Sequence, residues 1–175
     1  TVDTALGQKT VDFRTGGAQV IDIVSGKHTG SKNTSHHDAD QHRNELLELV
    51  QPYLLDGSVN SLRCSTRPDY IDAEVIGILK KYGMSTIELG IQSMSDKVLS
   101  LCSRGPTSAH SENACKLIKE SGISLVGQMM TGLPGSDPSD ERYTAMRLCM
   151  AHVDAVRIYP TMVFAGTGLE EMMRD

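Results

Sequence analysis

Two glutamines, Gln92 and Gln128, stand where apolar, strand-like segments run out into polar or glycine-rich turns. A glutamine amide offers two N–H donors and an acceptor oxygen, which suits ribose hydroxyls or a carboxylate. The turn that follows Gln128, residues 131–135, contains two glycines that let the backbone approach a ligand closely. Polar residues are common at strand ends. The alternative interpretation is therefore that both glutamines lie at a solvated edge of the sheet and bind no ligand.

Three more polar side chains lie near the neighbouring strand ends. Ser65 follows one predicted strand, Tyr159 closes another, and Arg104 lies in a loop between two predicted helices. A guanidinium group at that place can form paired hydrogen bonds with a carboxylate, although an exposed loop arginine is the alternative. Asp69 precedes a predicted helix and resembles an N-cap, which predicts a structural role for it.

The segment 35–42 contains three histidines and two aspartates, which are residue types that bind zinc. A helical zinc site places two histidines four residues apart, whereas His37 and His42 are five apart. No glycine or proline fixes this segment. We therefore predict a polar, histidine-rich loop over residues 29–41 rather than a metal site.

The four cysteines are Cys64, Cys102, Cys115 and Cys149. None of them forms a Cys-x2-Cys pair, so their spacing indicates neither a zinc site nor a redox disulfide. We predict that they are small buried hydrophobic residues in a protein of the reducing cytoplasm. Cys64 ends a predicted strand, but one thiolate does not hold an iron–sulfur cluster.

The length of 175 residues allows one domain with a sizeable core, and the net charge is -5. That charge argues against a broad nucleic-acid-binding face, but not against a local basic groove. No apolar run is long enough to cross a bilayer, so we predict no membrane partner. We expect a single core domain over residues 1–175 that is incomplete at both ends.

A repeating strand–helix pattern must position the polar residues. Strands are predicted at residues 19–24, 59–64, 85–91, 123–129 and 155–159, and helices at 41–55, 72–82, 96–101, 108–120 and 139–150. Gly83 and Gly122 each end a helix just before a strand begins, which is typical of right-handed βαβ units and a parallel sheet. Five strands are too few for a closed eight-stranded barrel, so an open partial barrel or a doubly wound sheet fits. Residues 10–14 are predicted as helix or loop.

Four motifs follow the predicted strands in order: STRPDY (residues 65–70), IELGIQSM (87–94), QMMTGLPG (128–135) and VRIYPT (156–161). They resemble the radical S-adenosylmethionine (SAM) enzymes, in the branch that holds the catalytic subunit of the elongator complex and oxygen-independent coproporphyrinogen oxidase. The resemblance implies an α/β fold, a partial (open) parallel β/α barrel. It also implies a SAM-binding core, whose relatives use a [4Fe-4S] cluster to cleave SAM reductively to a 5′-deoxyadenosyl radical.

The resemblance also implies which residues bind SAM. Ser65 falls where many relatives carry a SAM-binding glutamate, and Gln92 falls on the glutamine of a Gly-x-Gln-Ser motif. Arg104 matches an arginine that meets the SAM carboxylate, and Gln128 matches a polar residue near the ribose. Tyr159 lies on the strand whose backbone borders the adenine in relatives.

Two departures from the family pattern affect the cofactors. The turn that receives the SAM amino group reads Gly-Gly-Ser-Phe-like in close relatives, whereas here only Gly26 remains within Ser-Gly-Lys-His at residues 25–28. The cluster motif, Cys-x3-Cys-x2-Cys, should precede Gln19, but residues 1–18 contain no cysteine. We therefore expect that this chain as given does not hold the cluster, being either a fragment or a degenerate copy.

Three functional hypotheses follow. The first is the SAM-binding core of a radical SAM enzyme, with RNA or a small molecule as its substrate. The second is a catalytically inactive relative that binds a partner. The third is an unrelated β/α-barrel lyase, which would need a lysine at a strand end for Schiff-base chemistry. No lysine ends any predicted strand from residue 59 onward, so we rank the lyase last.

Overall fold

The computed structural model describes the backbone of residues 2–3, 9–13, 21–22, 27–28 and 36–174, and the side chains of residues 43–172. Its strands are β1 (Val2–Asp3), β2 (Lys9–Phe13), β3 (Ile21–Asp22), β4 (Lys27–His28), β5 (Ser61–Thr66), β6 (Met84–Gln92), β7 (Ser124–Thr131) and β8 (Ala155–Pro160). Its helices are α1 (His36–Leu55), α2 (Ala73–Lys81), α3 (Asp96–Leu101), α4 (Ser108–Ser121), α5 (Pro138–Met150) and α6 (Gly168–Arg174). Among the described helices, none is both long and apolar enough to cross a membrane.

One six-stranded sheet has the order β1-β2-β5-β6-β7-β8. β1 pairs antiparallel with β2, and every other pairing in this sheet is parallel. Helices connect the parallel strands from β5 to β8, as the βαβ prediction requires. The described strands form an open α/β sheet, which agrees with the predicted partial β/α barrel.

The strand predicted over residues 19–24 is confirmed at Ile21–Asp22, but its predicted place in the parallel sheet is wrong. Within that range the described residues, Ile21–Asp22, pair antiparallel with Lys27–His28 in a separate two-stranded sheet. The additional parallel strand is Lys9–Phe13, from a segment that we had predicted as helix or loop. Its five residues alternate too briefly to give a sequence signal, and pairing with β5 decides their conformation.

Helix α1 begins at His36, earlier than the predicted start at Gln41. Residues 36–41 are therefore helical, and the predicted loop is wrong over that part of its range. The rest of it, residues 29–35, lies outside the described residues. Residues 36–41 are mostly polar and therefore show no apolar periodicity. The sequence pattern predicted the start of the helix only where apolar residues begin to recur at helical spacing.

The ends of the later helices are explained by their caps. Gly83 follows Tyr82, the C-cap of α2, and Gly122 is the C-cap of α4. Both glycines adopt left-handed conformations, with φ of 80° and 81°. The N-cap of α2 is Asp72, whose side chain accepts a hydrogen bond from Val75 N at 2.8 Å. The N-cap role predicted for Asp69 is therefore wrong, because Asp69 lies within a short 3-10 turn and pairs with Arg67 instead.

The apolar core lies between the sheet and helices α1, α2, α4 and α5. Alternate strand residues point into it, and these are Leu62, Cys64, Ile87, Leu89, Ile91, Leu125 and Met129. The helices contribute fully buried side chains such as Leu79, Ile118 and Leu148. Each such side chain stabilises the fold by about 1.5–3 kcal/mol relative to its exposed state. This face of the sheet therefore holds the domain together.

Candidate functional site

The opposite face of the strands carries polar side chains and lines a cleft of about 430 Å³. The polar residues of the cleft are Ser65, Glu88, Gln128, Arg157 and Tyr159. The register pairs Ser65 with Glu88, Gln128 with Arg157, and Met130 with Tyr159 across neighbouring strands. Because these strands are parallel, the predicted convergence of Ser65, Gln128 and Tyr159 at one rim is confirmed.

Gln92 joins this rim through an irregular end of β6. The pairing of β6 with β7 shifts between Gly90 and Gln92, and Gln92 has a left-handed backbone with φ of 68°. Such a conformation is uncommon and costly for a residue with a side chain, so it is typical of functional sites. The Gln92 side chain is buried and its Oε1 accepts a hydrogen bond from Gln128 Nε2 at 3.4 Å. The two predicted glutamines therefore lie in contact.

Gly90 allows this close arrangement. A Cβ atom at Gly90 would lie 3.1 Å from Gln92 Nε2 and 3.4 Å from the carbonyl oxygen of Thr66. Contacts this short would displace the Gln92 amide. A glycine at this position therefore keeps room for the amide at the strand end.

Arg104 lies against the same strand end. Its Nη2 donates to the Gly90 carbonyl oxygen at 3.0 Å, and its Nε is buried with no hydrogen-bond partner. Burial lowers the pKa of the Arg104 guanidinium from its ordinary value, and the positive charge of Arg67 lowers it further. A buried N–H donor without a partner is costly, and an anionic ligand would relieve that cost. The alternative of an exposed loop arginine does not describe this residue, which is only partly exposed.

Arg67 is held separately beside Arg104. Its Nε donates to Asp69 Oδ1 at 3.0 Å and its Nη2 donates to Asp69 Oδ2 at 2.6 Å, while its guanidinium lies 5.1 Å from the centre of the Tyr70 ring. Asp69 therefore offsets the charge of Arg67 more directly than that of Arg104.

Sequence reasoning missed an ionic cluster on the cleft floor, in which a buried glutamate meets two partly exposed arginines. Glu88 is 3% exposed, and its Oε2 lies 2.8 Å from Arg63 Nη2 and 3.4 Å from Arg157 Nε. The available signal was a single charged residue, Glu88, within the predicted strand 85–91. Its partners lie on two other strands, so only the register reveals them.

The cysteines do not assemble a cluster site. Cys64 and Cys115 are buried in the core, Cys102 is partly exposed and Cys149 is exposed, so the prediction that all four are buried is wrong for the last two. Burial raises the pKa of the Cys115 thiol to about 11, and Glu112 adds to the rise. Within the part of the chain that the structure describes, no three histidine, cysteine or acidic side chains group as metal ligands. The cysteines of this chain therefore do not fit a [4Fe-4S] cluster.

The remaining predicted site residue, Gly26, lies outside the described residues. Of the others, Ser65, Gln128 and Tyr159 share the cleft, Gln92 contacts Gln128, and Arg104 meets the backbone of β6. Their roles toward a ligand stay a prediction.

Comparison with known proteins identifies the class. The model of the radical SAM superfamily matches residues 17–148, and the chain belongs to that superfamily. A tRNA uridine(34) acetyltransferase from Methanocaldococcus jannaschii is 34% identical over 117 residues, covering 65% of this chain and 22% of the relative. Elongator complex protein 3 from Homo sapiens is 34% identical over 113 residues, covering 63% of this chain and 21% of the relative.

The fold agrees with a solved relative. The structure of archaeal Elp3 from Methanocaldococcus infernus, with residues 1–46 deleted, matches with a TM-score of 0.70 at 24% identity, over 95% of this chain and 40% of that chain. The resemblance to the elongator branch agrees with the two sequence relatives, each 34% identical to this chain over the matched residues. The chain spans about a fifth of the length of the two curated relatives described above.

Proposed function

We propose that the cleft at the carboxyl ends of β5 to β8 binds SAM. The observation that carries the proposal is the meeting of the Gln92–Gln128 pair with Arg104 at the end of β6. The buried Gln92 amide, the partly exposed Gln128 amide and a guanidinium with an unused donor suit a ligand that carries both hydroxyl groups and a carboxylate.

Each residue has a distinct proposed role. Arg104 meets the carboxylate of the methionine part, since a charge-assisted bond would satisfy its buried Nε. Gln92 and Gln128 donate to and accept from the ribose hydroxyls.

Tyr159 and its neighbour Pro160 border the adenine, and Ser65 adds one hydroxyl to the opposite wall. Gly26 is proposed to receive the SAM amino group through its backbone.

We propose that this chain binds SAM, but not that it forms a radical on its own. A [4Fe-4S] cluster supplies the electron that cleaves SAM in the family, and the cysteines present here do not fit one. The second candidate function, a binding protein without radical chemistry, is supported by the same observation. Radical chemistry would require ligands for the [4Fe-4S] cluster that the cysteines of this chain do not provide.

For the whole protein we propose an RNA substrate and a cytoplasmic location. The RNA proposal is supported by the tRNA-modifying activity in the name of the Methanocaldococcus jannaschii relative. The proposed location is supported by the four cysteines, which are all free thiols as is usual in a reducing compartment. The net charge of -5 means that a basic RNA-binding surface would have to be local.

Isothermal titration calorimetry with SAM tests the binding proposal. Without an iron anchor, a few bonds of about 1–3 kcal/mol each must offset the freedom lost on binding, so we expect a Kd of roughly 0.1 mM or weaker. Gln92→Ala and Arg104→Ala should each weaken binding by about ten-fold, while Arg142→Ala, an exposed arginine on α5, should leave it unchanged. Micromolar binding, or binding indifferent to both site substitutions, would contradict the proposal.

A further inference from the structure

The ionic cluster on the cleft floor extends to Tyr159. Arg157 Nε lies 3.4 Å from Glu88 Oε2, and Arg157 Nη1 donates to the Tyr159 hydroxyl oxygen at 3.1 Å. One guanidinium therefore connects a buried carboxylate with a phenol at the cleft wall. Arg63 holds the carboxylate from the other side at 2.8 Å.

Stability alone does not explain this arrangement. The interior of a parallel barrel is ordinarily filled by layers of branched apolar side chains. Desolvating the charges of a buried ion pair costs as much as their attraction returns, so apolar residues of similar volume are often as stabilising. Here the interior positions are charged, and Glu88 and Arg157 line a cleft that a ligand can enter.

The direction of the hydrogen bonds defines what the floor can recognise. Arg157 is only a donor, so the oxygen of Tyr159 is the acceptor in their contact. The phenol proton then points away from Arg157. Because Tyr159 is 40% exposed and lines the cleft, that proton is available to an acceptor atom in the cleft.

The rest of the cleft fits a ligand with an apolar body. Four apolar residues line one part of the cleft: Met130, Pro160, Met162 and Phe164. Methionine and phenylalanine make favourable contacts with flat or soft apolar groups. The cleft thus combines apolar side chains with one directed donor, the Tyr159 hydroxyl.

We propose that Glu88, Arg157 and Tyr159 form a recognition site for a hydrogen-bond acceptor atom of the ligand, which is a carbonyl or carboxylate oxygen or, where the ligand is SAM, a ring nitrogen of the adenine. Tyr159 makes the contact. Arg157 is a positioning residue that fixes the Tyr159 hydroxyl, and Glu88 anchors Arg157. Where the ligand is SAM, the inference rests on the proposed function, but the site itself does not require SAM.

Fluorine NMR of protein labelled with 3-fluorotyrosine tests the site directly. The chain has five tyrosines, and Tyr159→Phe assigns the signal of interest. Sodium acetate supplies an oxygen acceptor, and methylammonium chloride at equal ionic strength supplies only donors. Acetate should shift the Tyr159 signal and methylammonium should not. Tyr143, which stacks against Arg147 on α5, serves as the internal control because it lies outside the cleft.

Substitutions at Arg157 separate positioning from simple packing. Arg157→Met leaves Glu88 paired with Arg63 and should abolish the acetate response while Tyr159 stays in place. Arg157→Lys keeps the charge but has one nitrogen for two partners, so it should restore only part of the response. A thermal melt of each variant shows whether it folds. An unchanged acetate response in folded Arg157→Met would overturn the proposal.

SAM affinity provides an independent arm. Tyr159→Phe should weaken SAM binding about five-fold, and adding Arg157→Met should weaken it little further, because both act through one hydrogen bond. If SAM does not bind the wild type but acetate shifts Tyr159, the SAM proposal fails and this site stands. If SAM binds but neither substitution nor acetate has an effect, the recognition site is refuted and the SAM proposal stands.

Discussion

The two faces of β6 differ completely although they belong to the same nine residues. Ile87 and Leu89 point to the helices and are fully buried in the apolar core, whereas Glu88 lines the cleft and Gly90 adjoins its rim. The strand period of two separates these roles residue by residue. Substitutions on one face should therefore change stability and those on the other should change ligand binding.

The largest loss of stability is expected from a substitution on the core face of β6. Leu89→Ala removes a side chain that is 0% exposed and should lower the free energy of unfolding by about 2–5 kcal/mol. Gln128→Ala on the cleft face loses one long hydrogen bond and should cost less than about 1 kcal/mol. Urea denaturation followed by circular dichroism compares the two. Equal losses would mean that the cleft face also carries the fold.

Two glycines, one in a strand and one in a helix, test how closely the helices pack against the core face of the sheet. A Cβ at Gly127 in β7 would lie 2.8 Å from Leu148 Cδ2 of α5, so Gly127→Ala should destabilise by about 1–3 kcal/mol.

Gly77 in α2 is the matched control, since an added Cβ there meets nothing within 4 Å. Gly77→Ala should stabilise by about 0.5–1 kcal/mol through helix propensity. Thermal unfolding of both variants decides the matter. A stabilising Gly127→Ala would show that α5 does not approach β7 as closely as described.

Much of the fold could be predicted because its signals are local. The four strands from β5 to β8 and the helices α2 to α5 follow from apolar periodicity, and Gly83 and Gly122 mark two of the connections. β2 and the first turn of α1 were missed since their sequences are short or polar. Helix α6 was also missed, because its seven residues are too few to show a clear helical period.

The site was predictable in part for a different reason. Gln92 ends β6, whereas Gln128 and Tyr159 lie three residues and one residue before the ends of β7 and β8. Parallel strands bring these carboxyl-terminal parts to one edge. The Glu88 cluster depends on cross-strand register, which no local pattern encodes. The contact of Arg104 with Gly90 likewise depends on how the loop after α3 folds back.

The smallest expected effect concerns thiol reactivity on the core face. Cys115 has a pKa raised to about 11, so its reactive thiolate is scarce at neutral pH and should form only in strongly alkaline solution. Cys149 is exposed and should react first with iodoacetamide. Because the folded state holds the Cys115 proton more tightly, its contribution to stability is present below the ordinary thiol pKa and lost as pH rises through about 11.

Mass spectrometry of the labelled peptides measures the two rates. Cys149→Ser should remove the fast phase and leave the slow one. Rapid modification of Cys115 at neutral pH would show that α4 does not bury it against the sheet.

Methyl NMR of the nine methionines during a SAM titration tests the central claim, that the cleft face is the ligand site, most directly. Met130 and Met162 line the cleft, whereas Met94 and Met150 line a groove on the helix-covered side. Single methionine-to-leucine substitutions assign the signals. We predict that SAM shifts Met130 and Met162 and leaves Met94 and Met150 unchanged. Shifts confined to Met94 and Met150 would contradict the account.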